Sequence, residues 1–149
     1  MKIRYIIEVR TTYPCKDPGC VGDRAHNVNE YAYTLPDGTP IAMRQPGDVY
    51  FGVHARDEYP CAWDNCDGKH LYCMCPDKDW PEGHPWNIDG RASNCTMKDE
   101  RTHRCWVRHG DPAIPGQLHV DKKGHTCAAG AGSIAISGFH GFLHNGELK

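Results

Sequence analysis

Two short patterns in this chain place metal-ligating side chains two residues apart: Cys73 with Cys75, and His103 with Cys105. In an extended strand, residues i and i+2 project from one face. If two such strands meet, four thiol and imidazole groups converge, which is what a closed tetrahedral zinc site requires. Cys95, eight residues before His103, competes for one of the four places, and Cys66 and His70 compete from the other side. The metal reading therefore takes Cys73, Cys75, Cys95, His103 and Cys105 as the ligand set and zinc as a structural cofactor. Two other readings stand beside it. The cysteines can be joined as disulfides, or Cys73 and Cys105 can be small buried hydrophobes on core-facing strand positions.

A second pattern is a pair of cysteines with four residues between them. It occurs at Cys15 and Cys20, around Lys-Asp-Pro-Gly, and at Cys61 and Cys66, around Ala-Trp-Asp-Asn. A turn of that length brings two Cα atoms into the range a disulfide needs, and the Pro-Gly pair eases the turn at Cys15 and Cys20. Zinc knuckles more often use a spacing of two, so disulfide and metal stay open for both pairs. The chain has nine cysteines, an odd number. Not all of them can close within one chain, and Cys127 is the remainder, a candidate for a free thiol or an intermolecular link.

Catalytic signatures are weaker. His103, His109 and Asp111 suggest a metallohydrolase cluster, since three protein ligands and an open position activate water. Their spacing fits neither the two-histidine helical zinc motif nor the deaminase pattern. A cysteine–histidine pair is always available among nine Cys and ten His, so its presence says little. Residues 130–133, Gly-Ala-Gly-Ser, lack the Lys-Ser/Thr ending of a phosphate loop and read as a small-residue bend. Trp63, Trp80, Trp86 and Trp106 suit small cores beneath loops better than a stacking platform. No catalytic residue is assigned, and the expectation is a protein that is not an enzyme.

The elements that must position these groups are short. Leu, Ile, Val and Phe together fill 23 of 149 positions, about 15%, below the roughly 20% at which folding by core burial alone becomes doubtful. A net charge of −2, four Trp and seven Tyr argue against disorder. Cross-links are the usual substitute for a thin interior. Residues 2–10 alternate with Ile3, Tyr5, Ile7 and Val9 on one face, a half-buried strand. Residues 31–35 form another, closed by the turn signal Pro36, Asp37, Gly38. Further strands are expected at 49–54, 70–75, 103–109, 118–120 and 133–137, with 76–94 an ordered irregular loop. No segment of helical length shows a 3.6-residue period, and Gly and Pro make up 27 positions.

The fold class is mainly β: a small single domain, 1–149, of short antiparallel strands with long irregular loops, cross-linked by Cys and His through zinc, disulfides or both. Within it, 1–60 supplies N-terminal strands, 61–110 the Cys/His-rich centre, and 111–149 C-terminal strands and an arm. The first eight residues carry no apolar stretch of the kind a secretory signal needs, so synthesis in the cytoplasm is expected. No run approaches the roughly 18 apolar residues of a membrane span. Basic residues are interspersed with acids, which disfavours nucleic acid as a partner.

His70 to Pro76 with Cys73 and Cys75, then Trp86 to Gly90, Cys95 with its neighbours 93–96, and residues 103–110 with His103 and Cys105, together form one further pattern. It resembles a family of short bacterial and phage Cys/His-rich proteins of unknown function that are suspected of binding metal. The resemblance covers roughly residues 61–120 and implies Cys73, Cys75, Cys95, His103 and Cys105 as metal ligands and no reaction. Its phage character points to an accessory subunit that decorates or links a larger particle, with protein subunits as partners and the virion as destination. Residues 139–144 are apolar and Gly-rich, and suit a docking strand or arm. The competing expectation is a zinc-dependent hydrolase or a zinc-binding adaptor.

Overall fold

A computed structural model describes residues 1–16, 27–53, 67–92, 94–97, 103–122 and 132–149. Among these the chain is entirely strand, turn and loop, with no helix. The centre is a four-stranded sheet. β1 (Arg4–Tyr5) runs parallel to the next strand in space, the later strand β5 (Asp48–Val53); β5 pairs antiparallel with β6 (Lys69–Cys75), and β6 with β7 (His84–Asn87).

Both faces of this sheet are covered, which the period of two makes visible. Val49, Leu71, Cys73 and Cys75 point to one side, where Trp86, Ile88, Leu118, Val120, Ile134, Leu143 and Leu148 complete the main core. Tyr50 and Met74 point to the other, against Ile6 and the half-buried Tyr33, Leu35, Ile41 and Tyr72. On that second side Arg44 lies over the rings of Tyr33 and Tyr50, 4.7 and 5.4 Å from their centroids. Its guanidinium also donates to Tyr50 Oη at 2.6 Å. A thin apolar inventory is thus stretched over two layers with tyrosine and a stacked cation filling in.

The strand expected over 2–10 is two strands. The chain leaves β1 at Ile6, whose side chain is fully buried and whose N–H donates to Val49 O at 2.9 Å. It then enters β2 (Ile7–Pro14), which pairs along its full length with β3 (Asn27–Thr34). Alternation continues across the break, so hydrophobicity alone does not reveal it. Beyond Glu8 this hairpin is largely exposed on both faces. The turn expected at 36–38 is present: Gly38 N–H donates to Leu35 O, and β4 (Pro40–Ile41) returns along β3.

Two corrections concern the middle of the chain. The irregular loop expected over 76–94 contains β7, with Pro85 on it; an edge strand tolerates a proline because its outer N–H has no ladder partner to lose. Gly83, at φ +91°, opens β7 where a Cβ would meet Cys75 O at 2.5 Å. The strand expected over 103–109 begins only at Trp106: β8 (Trp106–His109) pairs with β9 (His119–Lys122), and His103 and Cys105 precede it.

The C-terminal segment is no free arm. β10 (Ile134–Ile136) pairs with β11 (Phe139–Gly141), and β12 (Leu143–His144) with β13 (Glu147–Leu148). Leu143 and Leu148 enter the main core, leaving Phe142 outward. Ile3 N–H donates to Gly146 O, and Leu148 N–H to Met1 O at 2.8 Å. The arm expected of residues 139–144 is therefore corrected: they form short strands, and Leu143 lies in the chain's own interior.

Candidate metal centre

Cys95 closes a turn, its N–H donating to Ala92 O at 3.1 Å. His103 and Cys105 lie two residues apart in the loop just before β8, Cys105 at a bend. All three are buried, and one ligand atom from each lies within 4.8 Å of the others. His103 Nε2 is 3.7 Å from Cys105 Sγ. With zinc–sulfur and zinc–nitrogen bonds of about 2.3 and 2.0–2.1 Å, tetrahedral geometry sets these atoms roughly 3.6 Å apart. Among the described residues, these three fit three of the four places of a tetrahedral zinc site.

The surroundings fit as well. Ala92 N–H points at Cys105 Sγ, 3.3 Å away, and Met97 N–H at Cys95 Sγ, 3.4 Å away. Backbone donors aimed at sulfur stabilise the negative charge a thiolate ligand carries, the part usually played by groups outside the ligand shell. Arg91 Nε donates to His103 O at 3.2 Å and braces the ligand segment. Trp106 packs against both this cluster and the main core, edge-on to Trp86 with centroids 5.2 Å apart. An open cleft of ≈ 660 Å³ borders the centre, with Trp86, Trp106, Arg91, Asn94 and Cys105 in its wall.

Cys73 and Cys75 lie elsewhere. They do share a strand face, and that face is the main core. The Cys73 thiol is pushed well up by the neighbouring Cys75 thiol and by burial, and its side chain packs in the core among apolar neighbours. Among the described residues, neither belongs to a group of three converging ligands. His70 is buried with Nδ1 3.1 Å from Asn87 Oδ1. No disulfide joins Cys15, Cys73, Cys75, Cys95 and Cys105 to one another. Cys20, Cys61, Cys66 and Cys127 lie outside the described residues, and with them both four-spaced pairings and the intermolecular thiol.

His109 and Asp111 do not join the cysteines. His109 faces Asp121, with Nε2 and Oδ2 3.8 Å apart, and Asp111 holds the turn before β9 by accepting from Ala113 N–H. A second ligand group, His119, Asp121 and His144, was not singled out by spacing. The i, i+2 pattern of His119 and Asp121 carried the same signal as His103 and Cys105; His144 was hidden in an aromatic, Gly-rich segment. The chain matches no family model, no curated protein and no solved structure. Residue roles therefore rest on geometry.

Proposed function

We propose that this chain is a non-catalytic β module clasped by one structural zinc on Cys95, His103 and Cys105, and that it serves as an accessory subunit contacting other protein chains. The 3.7 Å separation of His103 Nε2 and Cys105 Sγ carries the zinc part, supported by the amide donors on both sulfurs. The ion ties the turn at 92–95 to the start of β8, adding the stability that about 15% strongly apolar residues cannot supply alone. The accessory part rests on the β2–β3 hairpin, eight residues a side, which carries exposed Val9 and Tyr31. Beyond the stretch that β4 pairs with, the hairpin is two-stranded and largely exposed on both faces, which is marginal by itself, and a partner surface would stabilise it. That the larger assembly is a phage-like particle is what the resemblance of residues 61–120 implies.

Chelation tests the zinc part. Removing the metal from the purified chain is expected to shift tryptophan emission, since Trp106 packs on the ligand cysteines, and to lower the unfolding temperature. Unchanged emission and unfolding under a strong chelator would refute it. One observation favours a second reading, a zinc-dependent hydrolase: the cleft reaches Cys105. That reading needs exchangeable water on the metal. A cobalt-substituted spectrum that responds to added small anions supports the hydrolase, and an indifferent one supports a structural site whose fourth place is filled by a further side chain.

A further inference from the structure

His119 and Asp121 stand two apart on β9 and so share a face. His144, on β12 beside them, stacks its ring on that of His119, with centroids 4.4 Å apart and planes 14° from parallel. His119 Nε2 lies 3.1 Å from Asp121 Oδ1, and one ligand atom from each of the three lies within 4.8 Å of the others. His109, the register partner of His119, sets its Nε2 3.8 Å from the second oxygen of the same carboxylate. Three strands thus present three imidazoles around one carboxylate. Asp121 and His109 are each more than half exposed, so the cluster is open to ions from solvent and is not a piece of the core.

We propose that His119, Asp121 and His144, with His109 at the edge, form a second metal site, separate from the cysteine centre, for a borderline divalent cation such as zinc or copper(II). Imidazole nitrogen with one carboxylate oxygen is the donor set such ions prefer, while calcium and magnesium demand oxygen throughout. The neighbouring turn records what binding displaces. Asn145 N–H donates to His119 Nδ1 at 3.3 Å, so the ring proton of neutral His119 sits on Nε2 and is donated to Asp121. A cation that takes Nε2 moves this proton to Nδ1 through solvent, and two N–H groups then confront each other. The Asn145 turn must shift. It adjoins Gly146, which donates to Leu118 O and accepts from Ile3 N–H.

Zinc titration of the full chain, followed by nuclear magnetic resonance, tests this independently of the cysteine centre because the readout is local. The His119 and His144 ring signals and the Asn145 amide are expected to move together along one saturation curve. Asp121→Asn and His144→Ala, both at exposed positions, are each expected to raise the midpoint of that curve about tenfold or more. His140→Ala, exposed and outside the group, is expected to leave it in place. Ring and amide signals that stay put at saturating zinc would overturn the proposal, as would a midpoint in His144→Ala equal to that of the unaltered chain.

Discussion

His103 Nε2 and Cys105 Sγ stand 3.7 Å apart, both buried, in the loop and bend that lead into β8 rather than in the strand itself. Arg91 Nε donates to His103 O at 3.2 Å and braces the segment from outside.

The first prediction separates the two cysteine groups. Cys105→Ser and Cys95→Ser are each expected to abolish zinc retention and to cost several kcal/mol where the metal had contributed to folding. Cys73→Ala is expected to keep the metal and to lose only roughly 1–2 kcal/mol, as a small core truncation does. Metal content and denaturant unfolding of the three variants check it. Zinc loss in Cys73→Ala would place that thiol in the ligand shell after all.

How much was legible beforehand follows from what spacing can and cannot encode. The strands at 49–54 and 70–75 were readable because apolar residues run there almost unbroken, as a sheet covered on both faces requires, and β5 and β6 occupy nearly those residues. The break at Ile6 was not, since one residue crossing between sheets leaves the alternation unmarked. β7 hid behind Pro85 and its flanking glycines. At the site, the shared face of Cys73 and Cys75 was correct in direction, but a period of two says nothing of which layer covers that face; here it is Leu118, Val120 and Ile134, from far along the chain. Cys95 joined through a turn, which no periodicity reports.

A second prediction concerns the buried ion pair that fastens β1 to β5. Asp48 is fully buried and receives Arg4 Nε and the second guanidinium nitrogen at 2.8 and 2.9 Å, together with Gln45 N–H at 2.9 Å. Arg4→Met strands a buried carboxylate with one remaining donor. Because Arg4 is partly exposed, the expected loss is roughly 2–3 kcal/mol in urea unfolding, below the cost of breaking a fully buried pair. A loss within about 0.5 kcal/mol, the range of ordinary surface changes, would contradict it.

The third prediction is a stability decline in alkali. Burial pushes the Tyr50 hydroxyl up to about 12, with Arg44 pulling the other way, and burial also raises Tyr33 and Tyr72. A group harder to ionise folded than unfolded contributes stability that is complete below the unfolded value, near 10. That contribution is lost as pH climbs towards about 12. Unfolding free energy measured from neutral to strongly alkaline pH is expected to hold until roughly pH 10 and then fall. Tyr50→Phe is expected to flatten the fall. An identical slope in that variant would remove Tyr50 from the explanation.

A fourth prediction concerns the hairpin. Val9→Lys with Tyr31→Lys alters exposed positions of β2 and β3, so unfolding of the isolated chain is expected to change by no more than about 0.5 kcal/mol. In the accessory role proposed above, co-sedimentation with partner protein chains is expected to drop. Undiminished co-sedimentation would contradict the contact role proposed for the hairpin.

The central claim is one zinc held by Cys95, His103 and Cys105, and elemental analysis of the purified chain with parallel thiol counting tests it most directly. The expected result is zinc at one or more equivalents, with Cys95 and Cys105 shielded from thiol reagents until a chelator is added. The His103→Ala variant is expected to lose one equivalent. A chain carrying no metal, with both thiols reacting at the same rate with and without chelator, would contradict the account.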